Sequence, residues 1–215
     1  MLLEDFKGNV LLSYLKPLET PHVTSFDLMD NHNVDGSYPK KIAQLVEKYS
    51  GSWLHEIGGK QEMFYRGIGS MTKEQASKDA VVSQRVNMSR NEPSDERLHQ
   101  FLIKNVNDCS NGKAVANRHN SAFVTSNRLQ ARGYGIIYVA LPMGEYHYTW
   151  HKKYRDMVAV EKEIDNDFDR EEFCKGLVID QGIKEAHASQ HEVMVHANSI
   201  LLIHEPAYDL YRDYG

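Results

Sequence analysis

The sequence predicts an α+β fold, and three observations lead to it. Helical apolar stripes fall in the first half, at residues 39–50 and 94–108. Strand-like runs fill the second half, at 121–126, 134–141 and 190–203. The two kinds of element are segregated along the chain, where a parallel α/β fold would alternate them. A chain of 215 residues is long enough for one well-buried core, so 1–215 reads as a single domain, with 1–36 as an irregular N-terminal segment.

Pro17 and Pro21 sit among polar clusters in that first segment, which argues against a long helix. Ile42, Leu45, Val46 and Tyr49 recur at helical spacing behind Pro39, so a helix is expected over 39–50, starting at Ser37 or Tyr38 and stopping at Gly51. Glu62 to Arg66 reads as a short strand broken by Gly67-Ile68-Gly69. Thr72 with Gln75 fits a capping box for a brief helix to about Ala80. Leu98, Phe101, Leu102 and Val106 form one stripe behind Pro93 and Ser94, predicting a helix over 94–108. Residues 107–120 are polar and loop-like.

Ser121 to Ser126 reads as a strand, and Tyr134 to Leu141 as a stronger one, apolar on both alternating faces and therefore central. Pro142-Met143-Gly144 is expected to end it, with Tyr146 to Trp150 as a short partner. The stretch from Glu161 to Glu172 holds seven acidic residues, opposed by Lys162 and Arg170. Finally, Gln190-His191-Glu192 opens a strand that is expected to turn at Ala197-Asn198-Ser199 and return to Ile203. On a strand, residues i and i+2 share a face, so Gln190 and Glu192 are expected to enter one cleft.

Bulk properties exclude several classes. A net charge of −5 and a pI near 6.1 lack the basic excess that stable duplex binding requires. Cys109 and Cys174 are the only cysteines, too few for a disulfide framework or a four-cysteine zinc site, which makes a reducing compartment the default. The N-terminus lacks a signal-length apolar run, and no transmembrane-length segment follows, so a soluble cytosolic protein without membrane contact is expected.

Familiar sites also fall away. Asp165, Asp167 and Asp169 have calcium-loop spacing, but Arg170 and Gly176 occupy positions where that loop needs glycine and glutamate. His187, His191 and His196 match no zinc pattern, and no metal is expected. Cys109 with His119 reads as an incidental thiol in a polar loop. Neither Gly67-Ile68-Gly69 nor Gly133-Tyr134-Gly135 completes a dinucleotide or phosphate-loop fingerprint.

Three separated motifs remain: Phe64-Tyr65-Arg66-Gly67, Phe123-Val124-Thr125-Ser126-Asn127 and Gln190-His191-Glu192. Their order resembles the arginine–serine–glutamate class of mono-ADP-ribosyltransferases, with its aromatic-Arg-Gly, aromatic-x-Ser-Thr-Ser and Gln/Glu-x-Glu motifs. Glu192 is followed by Val-Met-Val-His-Ala-Asn-Ser and an apolar run, as in that family, and the small phage-encoded members are especially similar there. Ser52 to Ile57 echoes a segment those members carry ahead of their Arg-Gly. Thr125-Ser126-Asn127 departs from Ser-Thr-Ser, although threonine supplies the same hydroxyl. Arg90-Asn91-Glu92-Pro93, Phe123-Val124-Thr125, Tyr134-Gly135 and the stretch from Pro142 to Trp150 together look like a group of phage proteins.

The resemblance implies a split β-sandwich with helices mainly in the N-terminal half, and transfer of ADP-ribose from NAD to a host protein or nucleic acid with release of nicotinamide. Glu192 would bind the ribose 2′-hydroxyl and stabilise positive charge on the ribose, with Thr125 orienting it. Arg66 would hold the pyrophosphate through its planar fork, and the backbone of Gly67 would approach the nicotinamide amide. Ser126, Arg128 and Arg132 lie where the family makes further contacts with NAD, and Phe123 and Tyr134 are candidates to stack on nicotinamide. Gln190 points to acceptors other than arginine.

Each residue also has an ordinary reading: Arg66 as a surface side chain, Thr125-Ser126 as turn residues, Glu192 as an exposed strand residue, Phe123 and Tyr134 as core. The competing function is a phage structural or inhibitor protein that keeps the fold without the reaction; a third is a metal-dependent hydrolase using the histidines. The expected location is the host cytoplasm, or carriage in the virion.

Overall fold

The structure is a computed structural model describing residues 38–69, 80–84, 96–111, 113, 115–164 and 168–213. The expected N-terminal segment, most of the helix at 72–80, the helix start at Pro93 and Ser94, the Arg90 segment, and Asp165 and Asp167 lie outside them.

The first described helix, α1, spans Tyr38–Ile57 and does not stop at Gly51. A Cβ at Gly51 would meet nothing within 4 Å, so this glycine faces an open side of the helix. Continuing buries Trp53, Leu54 and Ile57 against the sheet, with Trp53 edge-on to Tyr146 at 5.3 Å. Burial of that size outweighs the roughly 1 kcal/mol a helical glycine costs. The helix ends at Gly58 and Gly59, whose φ values of +114° and +113° suit glycine and whose N–H groups both bond the Leu54 carbonyl.

Six strands follow: β1 (Tyr65–Ile68), β2 (Ala80–Gln84), β3 (Ala122–Thr125), β4 (Ile136–His151), β5 (Leu177–Ile179) and β6 (Glu192–His204). Their order is β2-β6-β3-β1-β4-β5, and a further ladder between β4 and β6 closes β6, β3, β1 and β4 into a small barrel. The α+β class holds. Closure by the β4–β6 ladder stands where a split sandwich was expected.

Two expected breaks are absent. β4 runs through Pro142-Met143-Gly144, and β6 through Ala197-Asn198-Ser199, without a hairpin. The two sites face each other: Met143 pairs with Ser199 and Tyr146 with Ala197, so Gly144 and Glu145 together oppose Asn198. This is a β-bulge, with Gly144 at φ +74° supplying the left-handed residue. Turn-forming residues here bend one long ribbon instead of ending it. Likewise Gly67 and Ile68, expected to break β1, continue it.

The remaining helices are α2 (Glu96–Cys109), α3 (Arg128–Arg132), α4 (Arg170–Gly176), α5 (Ile183–Ser189) and α6 (Glu205–Arg212), with a 3-10 turn at Met157–Lys162. The two longest lie early, but three short ones are interleaved with the later strands and a fourth follows the last, against the expectation of a helical N-terminal half. Asp169 caps α4 by accepting from the Glu172 N–H at 3.1 Å.

Alternation along β6 separates two cores: Val193 and Val195 face the one under α1, while Met194 faces a second one. The second core gathers Leu98, Leu102 and Val106 of α2, Met157 and Val160 of the 3-10 turn, and Phe173 of α4. Val115 and Ala116, from the stretch read as a polar loop, are buried in it. Cys109 and Cys174 close a disulfide between α2 and α4, correcting the reading of Cys109 as an incidental thiol. No helix among the described residues is long and apolar enough to cross a membrane.

Candidate functional site

A cleft of about 180 Å³ opens where β1 and β3 are joined by a single pairing, Tyr65 with Thr125. Beyond that point the two strands diverge, and side chains from β1, β3, α3 and the start of β6 converge on the gap. Arg66, Gly67, Phe123, Thr125, Tyr134 and Glu192, predicted from four separate stretches of sequence, all line it.

Glu192 is 7% exposed. Its Oε2 accepts from the Met157 N–H at 3.2 Å and its own N–H donates to the Arg155 carbonyl at 2.8 Å, so the 155–157 segment grips it on both sides. Thr125 is its cross-strand partner in the β3–β6 ladder. The Thr125 hydroxyl reaches the Gln130 Oε1 at 3.3 Å and the Gln190 carbonyl at 3.4 Å, and accepts from the Asn127 N–H at 3.1 Å. Thr125 is thus a junction between β3, α3 and the residue that ends α5.

Gln190 corrects the expectation of a shared strand face. It is the C-cap of α5, at φ +60°, and β6 begins only at Glu192. Its exposed side chain accepts from Asn127 Nδ2 at 3.2 Å and from Arg155. His191 turns away, its Nδ1 on the His151 carbonyl at 2.7 Å. His187 and His196 reach the carbonyls of Met63 and Asn120, so the three histidines serve three separate backbone sites.

Gly67 has a structural cause that the motif alone does not reveal. A Cβ there would sit 1.8 Å from the Ala131 carbonyl oxygen, so glycine is what allows α3 to cross β1. Asn127, the position where the resembled motif has serine, caps α3 by accepting from the Gln130 N–H at 3.1 Å. Ser126 donates to the His187 carbonyl at 2.5 Å. Arg128 is committed to a two-point ion pair with Glu205, at 2.6 and 2.7 Å. Ser126 and Arg128 therefore tie α3 to α5 and α6 and do not line the cleft, and Arg132 is exposed.

Tyr134 is 54% exposed and Phe123 is half-buried against the second core, so of these two aromatics only Phe123 fits the core alternative. Arg118 lines the cleft too, at 4% exposure, with its guanidinium 5.4 Å from the Phe123 ring centre. Sequence reasoning passed over it within a polar loop. Burial pushes the Tyr65 phenol above its ordinary pKa, helped by the negative charge of Glu205, so this wall of the cleft is a neutral hydroxyl. A buried carboxylate and two guanidiniums beside an exposed aromatic ring can bind a molecule that carries both an anionic group and a planar ring. No family model, curated protein or solved structure matches the chain.

Proposed function

We propose that this protein is a mono-ADP-ribosyltransferase that moves ADP-ribose from NAD to a host macromolecule, protein or nucleic acid. One observation carries the reading: Arg66, Thr125 and Glu192, far apart in sequence, line a single cleft. In the reaction the nicotinamide–ribose bond breaks with its electron pair leaving on neutral nicotinamide. Positive charge grows on the ribose, an acceptor lone pair attacks the same carbon, and the acceptor loses its proton to solvent. The buried Glu192 carboxylate suits that charge, and a fixed charge in a water-poor cleft needs no reorganisation as the charge develops.

Arg66 suits the pyrophosphate and Tyr134 the nicotinamide ring. About 180 Å³ is below the ~300–1,000 Å³ of sites that enclose drug-sized ligands, so the cleft would hold the nicotinamide riboside end and leave adenosine outside. Gln190, two residues before Glu192 and exposed next to Asn127 and Arg155, would meet the acceptor outside the cleft lining.

Incubation with labelled NAD and host lysate, with and without protease or nuclease, tests the activity and identifies the class of target. Glu192→Gln should reduce transfer by about 10²–10³-fold. Undiminished transfer by this variant would remove Glu192 from the mechanism. A second reading, a fold that has lost the reaction, is favoured by the Met157 N–H already occupying one Glu192 oxygen. It predicts no amide NMR shifts at residues 66, 125 and 192 when NAD is added.

A further inference from the structure

We infer that Arg155 and Asn127 are positioning residues that grip the Gln190 side chain and set it to serve the incoming acceptor as a hydrogen-bond donor. The acceptor role rests on the transferase reading; the grip is argued from geometry alone. Gln190 Oε1 accepts from the Arg155 guanidinium and from Asn127 Nδ2, the latter at 3.2 Å. Which end of the Gln190 amide is oxygen follows from Arg155, because a guanidinium has donors and no acceptor. The same logic orients Asn127. Its Oδ1 is taken by the Gln130 N–H at 3.1 Å, which leaves Nδ2 for Gln190.

The backbone of Gln190 is held too. Its N–H donates to the His187 carbonyl at 3.0 Å, its carbonyl accepts from the Thr125 hydroxyl at 3.4 Å, and φ is +60° in the cap of α5. Among the described residues, every polar group of Gln190 except the side-chain N–H2 thus has a protein partner. Arg155 links the two motif residues, since its carbonyl accepts from the Glu192 N–H at 2.8 Å while its side chain holds Gln190. Arg155 and Gln190 are exposed and lie outside the cleft lining, so they would stay open to a macromolecule with NAD in the cleft. Two donors on one oxygen, one of them charged, remove rotamer freedom that a lone exposed glutamine would lose on binding. The amide N–H2 can then meet a carbonyl oxygen or ring nitrogen of the acceptor, and it exchanges no proton. The ribose carbon gains the acceptor's lone pair as it loses nicotinamide, and the acceptor's proton leaves to solvent.

The test compares label transfer from NAD to host lysate with nicotinamide release into water, on wild type, Arg155→Met, Asn127→Ser and Gln190→Gly. Arg155→Met keeps the backbone carbonyl on Glu192, Asn127→Ser keeps a helix cap, and glycine suits the φ of residue 190. Arg155→Met should lower transfer relative to nicotinamide release by roughly 10-fold, and Asn127→Ser by less. Arg155→Lys should restore part of the loss, and is the variant to read if Arg155→Met melts early. In the Gln190→Gly background Arg155→Met should have no further effect on that ratio, because it acts through Gln190. Side-chain amide NMR of Gln190 reads the grip directly, with a rigid signal in wild type and a mobile one in Arg155→Met. An unchanged ratio in the Arg155 variants, an equal loss in the Gln190→Gly background, or a Gln190 amide equally mobile in both proteins would overturn this inference alone. A wild type with a rigid Gln190 amide that never releases nicotinamide would sink the transferase reading and the acceptor role with it, leaving the grip standing. Nicotinamide release without label transfer in wild type would remove the acceptor role.

Discussion

Thr125 and Glu192 are directly opposed across the antiparallel β3–β6 ladder, and both are buried at the edge of the cleft. The Thr125 hydroxyl serves neighbours on α3 and at the end of α5, so the residue facing the carboxylate also fixes the two segments beside it. Thr125→Val removes that junction at nearly constant volume. It strands the Asn127 N–H, and a stability loss of about 1–2 kcal/mol is expected from urea unfolding. On the proposed transferase reading Thr125 is a positioning residue, and its loss should lower kcat for nicotinamide release by roughly 10-fold with little change in KM, with Thr125→Ser restoring most of it. A Val variant with unchanged kcat would leave Thr125 a purely structural residue.

Gly67 makes a different demand. With a Cβ 1.8 Å from the Ala131 oxygen and 2.9 Å from Tyr134 Cβ, Gly67→Ala must push α3 off β1. Overpacking of this kind costs typically ~1–3 kcal/mol. The displaced α3 carries Gln130 and Ala131 of the cleft wall, so ligand affinity should fall along with thermal stability. A variant as stable as wild type would show that α3 moves freely, and Gly67 would then need another explanation.

These two residues also show what sequence could and could not reveal. Phe123-Val124-Thr125 reads as a strand because it is a short aromatic and β-branched run bounded by polar residues, and Arg66-Gly67 stands out as a motif after an aromatic pair. The cause of the glycine was not readable, because α3 meets β1 through a tertiary contact. β4 and β6 were split in expectation for a related reason: Gly144 and Asn198 are turn formers locally, but a partner strand across from each converts two turns into one bulge. A period-2 reading puts Gln190 on the strand, whereas the left-handed cap of α5 at Gln190 interrupts that period two residues before β6 begins. Arg118 was missed because burial depends on what packs over a loop, and its neighbours there are polar.

The disulfide joins α2 to α4 across 65 residues and braces the second core, which includes Met157, the donor to Glu192. Closing a loop of that length removes about 4 kcal/mol of unfolded-state entropy. Cys174→Ser, or treatment with a dithiol reductant, should therefore lower Tm by roughly 8–16 °C for a chain of this size. Loss of the cross-link should also loosen the 3-10 turn and raise amide exchange at Met157. Identical melting of oxidised and reduced protein would show that the bond contributes nothing to stability.

His151 gives the fold a defined acid sensitivity. Its ring is fully buried, and Nδ1 accepts from the N–H groups of Lys153 and Tyr154 at 3.0 and 3.3 Å, which leaves Nε2 to donate to the Phe173 carbonyl at 3.0 Å. That arrangement requires the neutral ring, since a proton on Nδ1 would confront two N–H donors. Burial first, then the nearby Lys153 and His191, hold its pKa down at about 4, although the bond to the Phe173 carbonyl opposes them. Because the folded value lies below the ordinary ~6.5, protons favour the unfolded chain. The contribution of His151 is complete above pH ~6.5 and declines as pH falls towards 4, by up to about 3 kcal/mol. Urea unfolding at pH 7 and pH 4.5 should show a smaller difference in His151→Gln than in wild type. The same difference in both proteins would assign the acid sensitivity to other groups.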